Sequence, residues 1–161
     1  MQIFVKNRKW IEKQLELYEN WYFNKYVISI YSSNDISPFP DRYNILKLQF
    51  DDITDEYISN SNCILFNDIH AKLIHNFIKL IKSNLPFYIH CDAGISRSGA
   101  IGYMLNEYFN KFINENDEDN MFFINENKHI LPNPFIISTL KRQLFKTDYN
   151  KLFKWKDIEN V

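Results

Sequence analysis

The chain has 161 residues, 45% of them apolar and 17% aromatic, with 19 basic against 20 acidic side chains and a net charge of −1. That length and apolar content fit a single domain, residues 1–161, with a real core, and exclude a disordered tail. The balanced charge offers no global attraction to nucleic acid or an anionic membrane surface, and no apolar run approaches a membrane span. In chain order, Ile3 to Val5 reads as a short edge strand and residues 8–20 as a helix, with Trp10, Ile11, Leu15 and Tyr18 near helical spacing. Tyr26 to Tyr31 is a β-branched run suited to a buried strand, and Ser32 to Arg42, with Pro38 and Pro40, is loop. Asn44 to Phe50 alternates apolar and polar, predicting a strand that runs straight into Asp51 and Asp52.

Between Ile53 and Phe66 the expectation is a loop with a helical turn. Asp68 to Ser83 is an amphipathic helix, its apolar face carried by Ile69, Leu73, Ile74, Phe77, Ile78 and Ile81. Asn84-Leu85-Pro86 ends it and feeds a short strand, Phe87 to Ile89. A compact loop follows, then a helix from near Ser98 to Phe112 that is buried on most sides. Asn114 to Asn120 reads as a solvated acidic connection; lacking a turn glycine, it does not fit a calcium loop. Met121 to Leu131 suggests a hairpin or irregular arm. Asn133-Pro134 is a cap-then-proline helix start, with Phe135, Ile136, Leu140 and Leu144 as its apolar stripe. The tail from Thr147 is expected to pack back on the domain. Strands alternating with helices predict an α/β architecture in three layers, a mainly parallel central sheet flanked by helices.

The chemistry concentrates in His90-Cys91-Asp92-Ala93-Gly94-Ile95-Ser96-Arg97-Ser98-Gly99, at the carboxyl end of a predicted strand, where such sheets place ligands. A tight loop leading into a helix N-terminus makes an anion cradle from its backbone N–H groups, here those of residues 92–97. The same positive potential favours Cys91 as thiolate, the reactive form. Arg97 adds a planar two-pronged donor that lysine cannot imitate. Gly94 and Gly99 permit the tight backbone.

This pattern resembles the signature of the cysteine-dependent tyrosine and dual-specificity phosphatases, strongly at the loop and weakly over the rest of Val27 to Leu144. The resemblance implies the three-layer α/β fold of that family and hydrolysis of phosphomonoesters without a cofactor. It implies a phosphocysteine on Cys91, phosphate held by Arg97 and the loop Asp92, Ala93, Gly94, Ile95 and Ser96, and a Ser98 that stabilises the departing thiolate. His90 would orient and polarise the loop. A general acid is expected after a strand upstream of the cysteine; Asp52 matches best, with Asp51 and Asp55 as alternatives. All three follow strand 44–50, expected to lie beside strand 87–90.

His70, His75 and His129 show no metal-ligand spacing with Cys63, so no metal site is expected. Cys63 can alternatively bridge an oxidised Cys91 or simply fill space. A catalytic thiolate with only two cysteines in the chain implies a reducing, cytoplasmic setting. Without a lysine between Cys91 and Arg97, a polyphosphorylated inositol is disfavoured, leaving phosphorylated proteins or peptides as partners. Rival readings are a phosphate-recognising pseudophosphatase and an RNA 5′-phosphatase. The first needs neither thiol nor acid, and the second wants a basic channel.

Overall fold

The computed structural model describes residues 1–54, 63–81 and 85–156, with side chains as far as Phe145. Four parallel strands form one sheet: β1 (Ile3–Asn7), β2 (Tyr26–Tyr31), β3 (Ile45–Gln49) and β4 (Phe87–Cys91), in the order β1-β4-β2-β3. The helices are α1 (Arg8–Leu17), α2 (Asp68–Lys79), α3 (Arg97–Asn106), α4 (Asp117–Glu126) and α5 (Pro134–Lys156), with a π-helical turn, Glu107–Ile113, prolonging α3. None of the described helices is long and apolar enough to cross a membrane.

The three-layer, mainly parallel arrangement is the expected one, with its layers unequal in weight. The main core packs α2, α3, α4 and α5 against Ile3, Val5, Ile28, Ile30, Leu48, Phe87 and Ile89. On the other face α1 contributes Ile11, which meets Val27, Phe39 and Ile45, with Trp10, Trp21, Tyr22 and Tyr88 around them. β2 is buried along both faces through Ile30, which fits its β-branched run and a central place. β3, with Lys47 and Gln49 half-buried, takes the edge. The other edge, β1, is capped by a side chain. Asn127 accepts from Val5 N at 2.7 Å and donates to Ile3 O at 3.0 Å, supplying the bonds a fifth strand would make.

One expectation fails at this level: strand 44–50 does not lie beside strand 87–90, because β2 pairs with both β3 and β4. Its apolar character on both faces earns β2 the interior place that a half-polar strand could not fill. α2 also turns differently from its predicted face. Ala71, Ile74, His75 and Ile78 are buried at helical spacing together with Phe77, while Ile69 and Leu73 are exposed. A small Ala and a His occupy the stripe, which hides it from a count of large apolar residues.

The region after α3 departs further. Most of the acidic run and the first half of the expected hairpin or irregular arm form helix α4, while residues 127–131 stay outside regular elements. Asn116 caps it by accepting from Asp119 N at 3.0 Å, and Asp117, Glu118 and Asp119 sit in its first turn, where the helix dipole favours carboxylates. The contiguous Met121-Phe122-Phe123-Ile124 imitates a strand only in one dimension. α5 begins as expected, Asn133 Oδ1 accepting from Phe135 N at 3.0 Å and Ile136 N at 3.2 Å, with Ile136, Leu140 and Leu144 fully buried. The helix continues to Lys156, so the backbone from Thr147 to Lys156 prolongs α5; how its side chains pack lies outside the described residues.

Candidate active site

β4 delivers Cys91 to the carboxyl edge of the sheet, and the chain turns through residues 92–96 into α3. Gly94 makes this turn possible. Its φ is +72°, and a Cβ there would lie 2.5 Å from Asn7 N and 2.6 Å from the Lys6 carbonyl carbon. The loop is therefore pressed against the end of β1, a distance only glycine allows. Arg8 N donates to Asp92 O at 3.2 Å, while Leu131 N donates to Ile95 O and Asn133 N to Ser96 O at 3.2 and 3.3 Å. The loop is held on both sides by other segments.

Inside this frame the Cys91 sulfur is buried, accepting from Gly94 N at 3.3 Å and lying 3.0 Å from Ser98 Oγ. It sits beside the first turn of α3, whose leading N–H groups have no partner within the helix. Arg97 is likewise buried. Its Nη1 donates to Ser32 Oγ at 3.0 Å and to Phe50 O at 2.9 Å, and its Nη2 pairs with Asp92 Oδ2 at 2.5 Å. Arg97 thus reaches past β2 to the end of β3, which explains how a chain segment not adjacent to β4 still meets the loop.

The two neighbouring aspartates have different surroundings. Asp51 accepts from Ile64 N at 2.8 Å and from Ser33 N and Oγ at 3.1 and 3.3 Å. Partial burial would raise its carboxyl, but these bonds and the nearby Arg97 outweigh that and hold it below the usual carboxylate range. Asp52 is exposed and leans on the loop: Ser96 Oγ and Asn133 Nδ2 both donate to its Oδ1 at 2.8 Å. Asn133 also donates to Ile53 O at 3.0 Å, so α5 clamps the backbone after Asp52 as well. Asp55 lies outside the described residues.

His90 is fully buried with Nε2 2.8 Å from Ser29 Oγ, which lies 2.8 Å from Ser37 Oγ. Its pKa is pushed down to about 4, chiefly by burial and then by the positive charge of Arg8, against a smaller opposing pull from Asp92. Burial thus favours the neutral ring. Cys63 is exposed, next to Ile64, while Cys91 is buried, and both are free thiols. Among the described residues no three His, Cys, Asp or Glu side chains gather where they could hold a metal ion.

The structure thus gathers three hydrogen-bonded sets at one loop: Cys91 with Gly94 and Ser98, Arg97 with Asp92 and Ser32, and Asp52 with Ser96 and Asn133. Sequence reasoning missed Ser32, which touches both Arg97 and Asp92, and the second role of Asn133 beyond its cap. Ser32 carried a usable signal. It directly follows a parallel strand, and such positions share one edge of the sheet.

No protein-family model matches the sequence, and no curated protein sequence does. Among solved structures, the chain is similar to the crystal structure of PTPMT1 in complex with PI(5)P, at 13% identity and a TM-score of 0.51, over 93% of this chain and 94% of that one. What the two share is the fold, a mainly parallel four-stranded sheet with helices, like that of a protein tyrosine phosphatase.

Proposed function

We propose that this protein is a phosphomonoesterase that acts on phosphotyrosine, or on phosphoserine and phosphothreonine as well, in proteins or peptides of a reducing, intracellular compartment. The observation that carries this reading is that Cys91, Arg97 and Asp52 all meet at one loop. A sulfur receives an amide hydrogen bond at a helix start, a buried guanidinium stands in the same loop, and a carboxylate is seated on that loop by Ser96 and Asn133.

The steps follow from the residues. Cys91 thiolate attacks phosphorus while Arg97 and the loop amides hold the phosphate oxygens. The ester P–O bond breaks and its oxygen takes a proton from Asp52. Both donors to Asp52 fall on Oδ1, so the transferable proton belongs on Oδ2. Water then attacks the phosphocysteine, giving its proton to Asp52, and phosphate and thiolate separate. Ser98 Oγ, 3.0 Å from the sulfur, donates to the thiolate as it leaves. This chemistry calls for no cofactor.

PTPMT1 is seen with PI(5)P. For this chain the absence of lysine between Cys91 and Arg97, with Asp92 in the loop instead, supports a protein substrate over a phosphoinositide. Steady-state rates on an aryl phosphate, a phosphotyrosine peptide and a phosphothreonine peptide test the reading. Cys91→Ser is expected to abolish all turnover while still binding phosphate, and vanadate is expected to inhibit the parent enzyme. Substantial turnover by Cys91→Ser overturns the proposal.

A further inference from the structure

Arg97 has five N–H donors in a rigid plane. The two bonds from Nη1, to Ser32 Oγ and Phe50 O, anchor it to the ends of β2 and β3. Nε and Nη2 share the other edge of the guanidinium, which offers two parallel donors to a phosphate or carboxylate. On that edge Nε is buried and has no hydrogen-bond partner among the described residues, while Nη2 meets Asp92 Oδ2 at 2.5 Å. One prong is buried without a partner and the other is held by a carboxylate of the same loop.

Asp92 is also placed to stay near. Ser32 Oγ donates to its Oδ2 at 3.1 Å, and its carbonyl accepts from Arg8 N. Its side chain is 43% exposed against 6% for Arg97, so the carboxylate lies on the solvent side of the pair. Arg8 is the other cation whose charge reaches Asp92, but its own hydrogen bonds go elsewhere. The loop has no lysine, and Arg8 spends its Nε, Nη1 and Nη2 on Glu12, Asp35 and Ile36 O. Asp92 thus offsets much of the positive charge that Arg97 presents to an incoming phosphate, with Arg8 acting only at a distance and the amides and helix start adding to the cradle.

We propose that Asp92 is a specificity-determining counter-anion that competes with the phosphoryl group for Nη2 of Arg97. The proposal rests on the phosphatase reading and deepens it. In the empty site Asp92 keeps the outer prong satisfied. A phosphoryl group takes Nε first and must displace or share the carboxylate at Nη2. Re-forming the ion pair favours release of the phosphate product. A substrate with a second phosphate beside the first meets the Asp92 charge directly, so the site selects isolated phosphate groups.

The experiment titrates inorganic phosphate into the parent protein, Asp92→Asn and Asp92→Ser by calorimetry, and follows aryl-phosphate hydrolysis in parallel. Position 92 is exposed and its backbone bond to Arg8 survives either change; thermal unfolding checks each fold. Both variants are expected to bind phosphate on the order of 10-fold more tightly. KM and the phosphate inhibition constant should fall together, and kcat should fall or stay level as product leaves later. A residue that merely orients Arg97 would instead weaken phosphate binding and raise KM. Equal or weaker phosphate binding by both variants, with the parent active, overturns the Asp92 proposal alone. A parent that neither binds phosphate nor hydrolyses the ester overturns the phosphatase reading and this proposal with it.

Discussion

Asp51 and Asp52 are neighbours in the chain with different surroundings. Asp51 spends both oxygens on Ser33 and Ile64, and these bonds with Arg97 hold its carboxyl below the usual range, which suits a brace better than a proton donor. Asp51→Asn should therefore lower stability, by about 1–2 kcal/mol in urea unfolding at neutral pH, since bonds to a charged acceptor are lost. It should leave both limbs of the pH–rate profile in place. Asp52→Asn should flatten the basic limb of kcat/KM and slow a poor leaving group by on the order of 10²–10⁴. An activated phenol should lose much less. If Asp51→Asn removes the basic limb and Asp52→Asn does not, the acid is misassigned. Arg97→Lys should cost on the order of 10² in kcat/KM despite its conserved charge, because one ammonium cannot span Ser32, Phe50 and a phosphate together. Near-normal rates for Arg97→Lys would make that residue structural.

At the scale of elements, Asn133 ties the start of α5 to Asp52. Its Oδ1 caps the helix while its Nδ2 seats Asp52. Asn133→Ala should lose both functions, with about 1 kcal/mol from the cap alone. Asn133→Asp keeps an acceptor for the cap but sets a like charge against Asp52, which must move the basic limb to higher pH. An unmoved limb in Asn133→Asp would mean that Asp52 is not the titrating acid. The cap itself was legible in Asn133-Pro134, and so was the loop from Cys91 to Arg97, because both are local patterns. α4 was not legible, since a run of four apolar residues has no period until the capping Asn116 is counted. The seat of Asp52 was invisible for a different reason: it joins side chains far apart in sequence, and only packing of α5 against α3 and α2 brings them together.

For the whole molecule, parallelism decides where the site forms. All four strands point the same way, so their carboxyl ends supply Arg8, Ser32, Asp52 and Cys91 to one edge. The order of strands within the sheet could not be read locally, because it depends on which strand can bury both faces. His90 ties this edge to global stability. Its folded pKa, about 4, lies below the ordinary histidine value of 6.5. The unfolded chain therefore binds a proton first on acidification. The contribution is whole above pH 6.5 and is lost as pH falls toward 4, a total of about 3 kcal/mol. Chemical denaturation of the parent and of His90→Asn between pH 7 and 4.5 should show a steeper loss in the parent. Parallel curves would mean that His90 is not buried neutral.

The seating of Asp52 by Asn133 also orders events in time during synthesis. Chains leave the ribosome amino end first. The loop with Cys91 and Arg97 emerges before Leu131 and Asn133, whose backbone N–H groups brace it, and before the Asn133 side chain that bonds Asp52. On the proposed reading the loop and its acid are therefore set in place together, when the start of α5 is made.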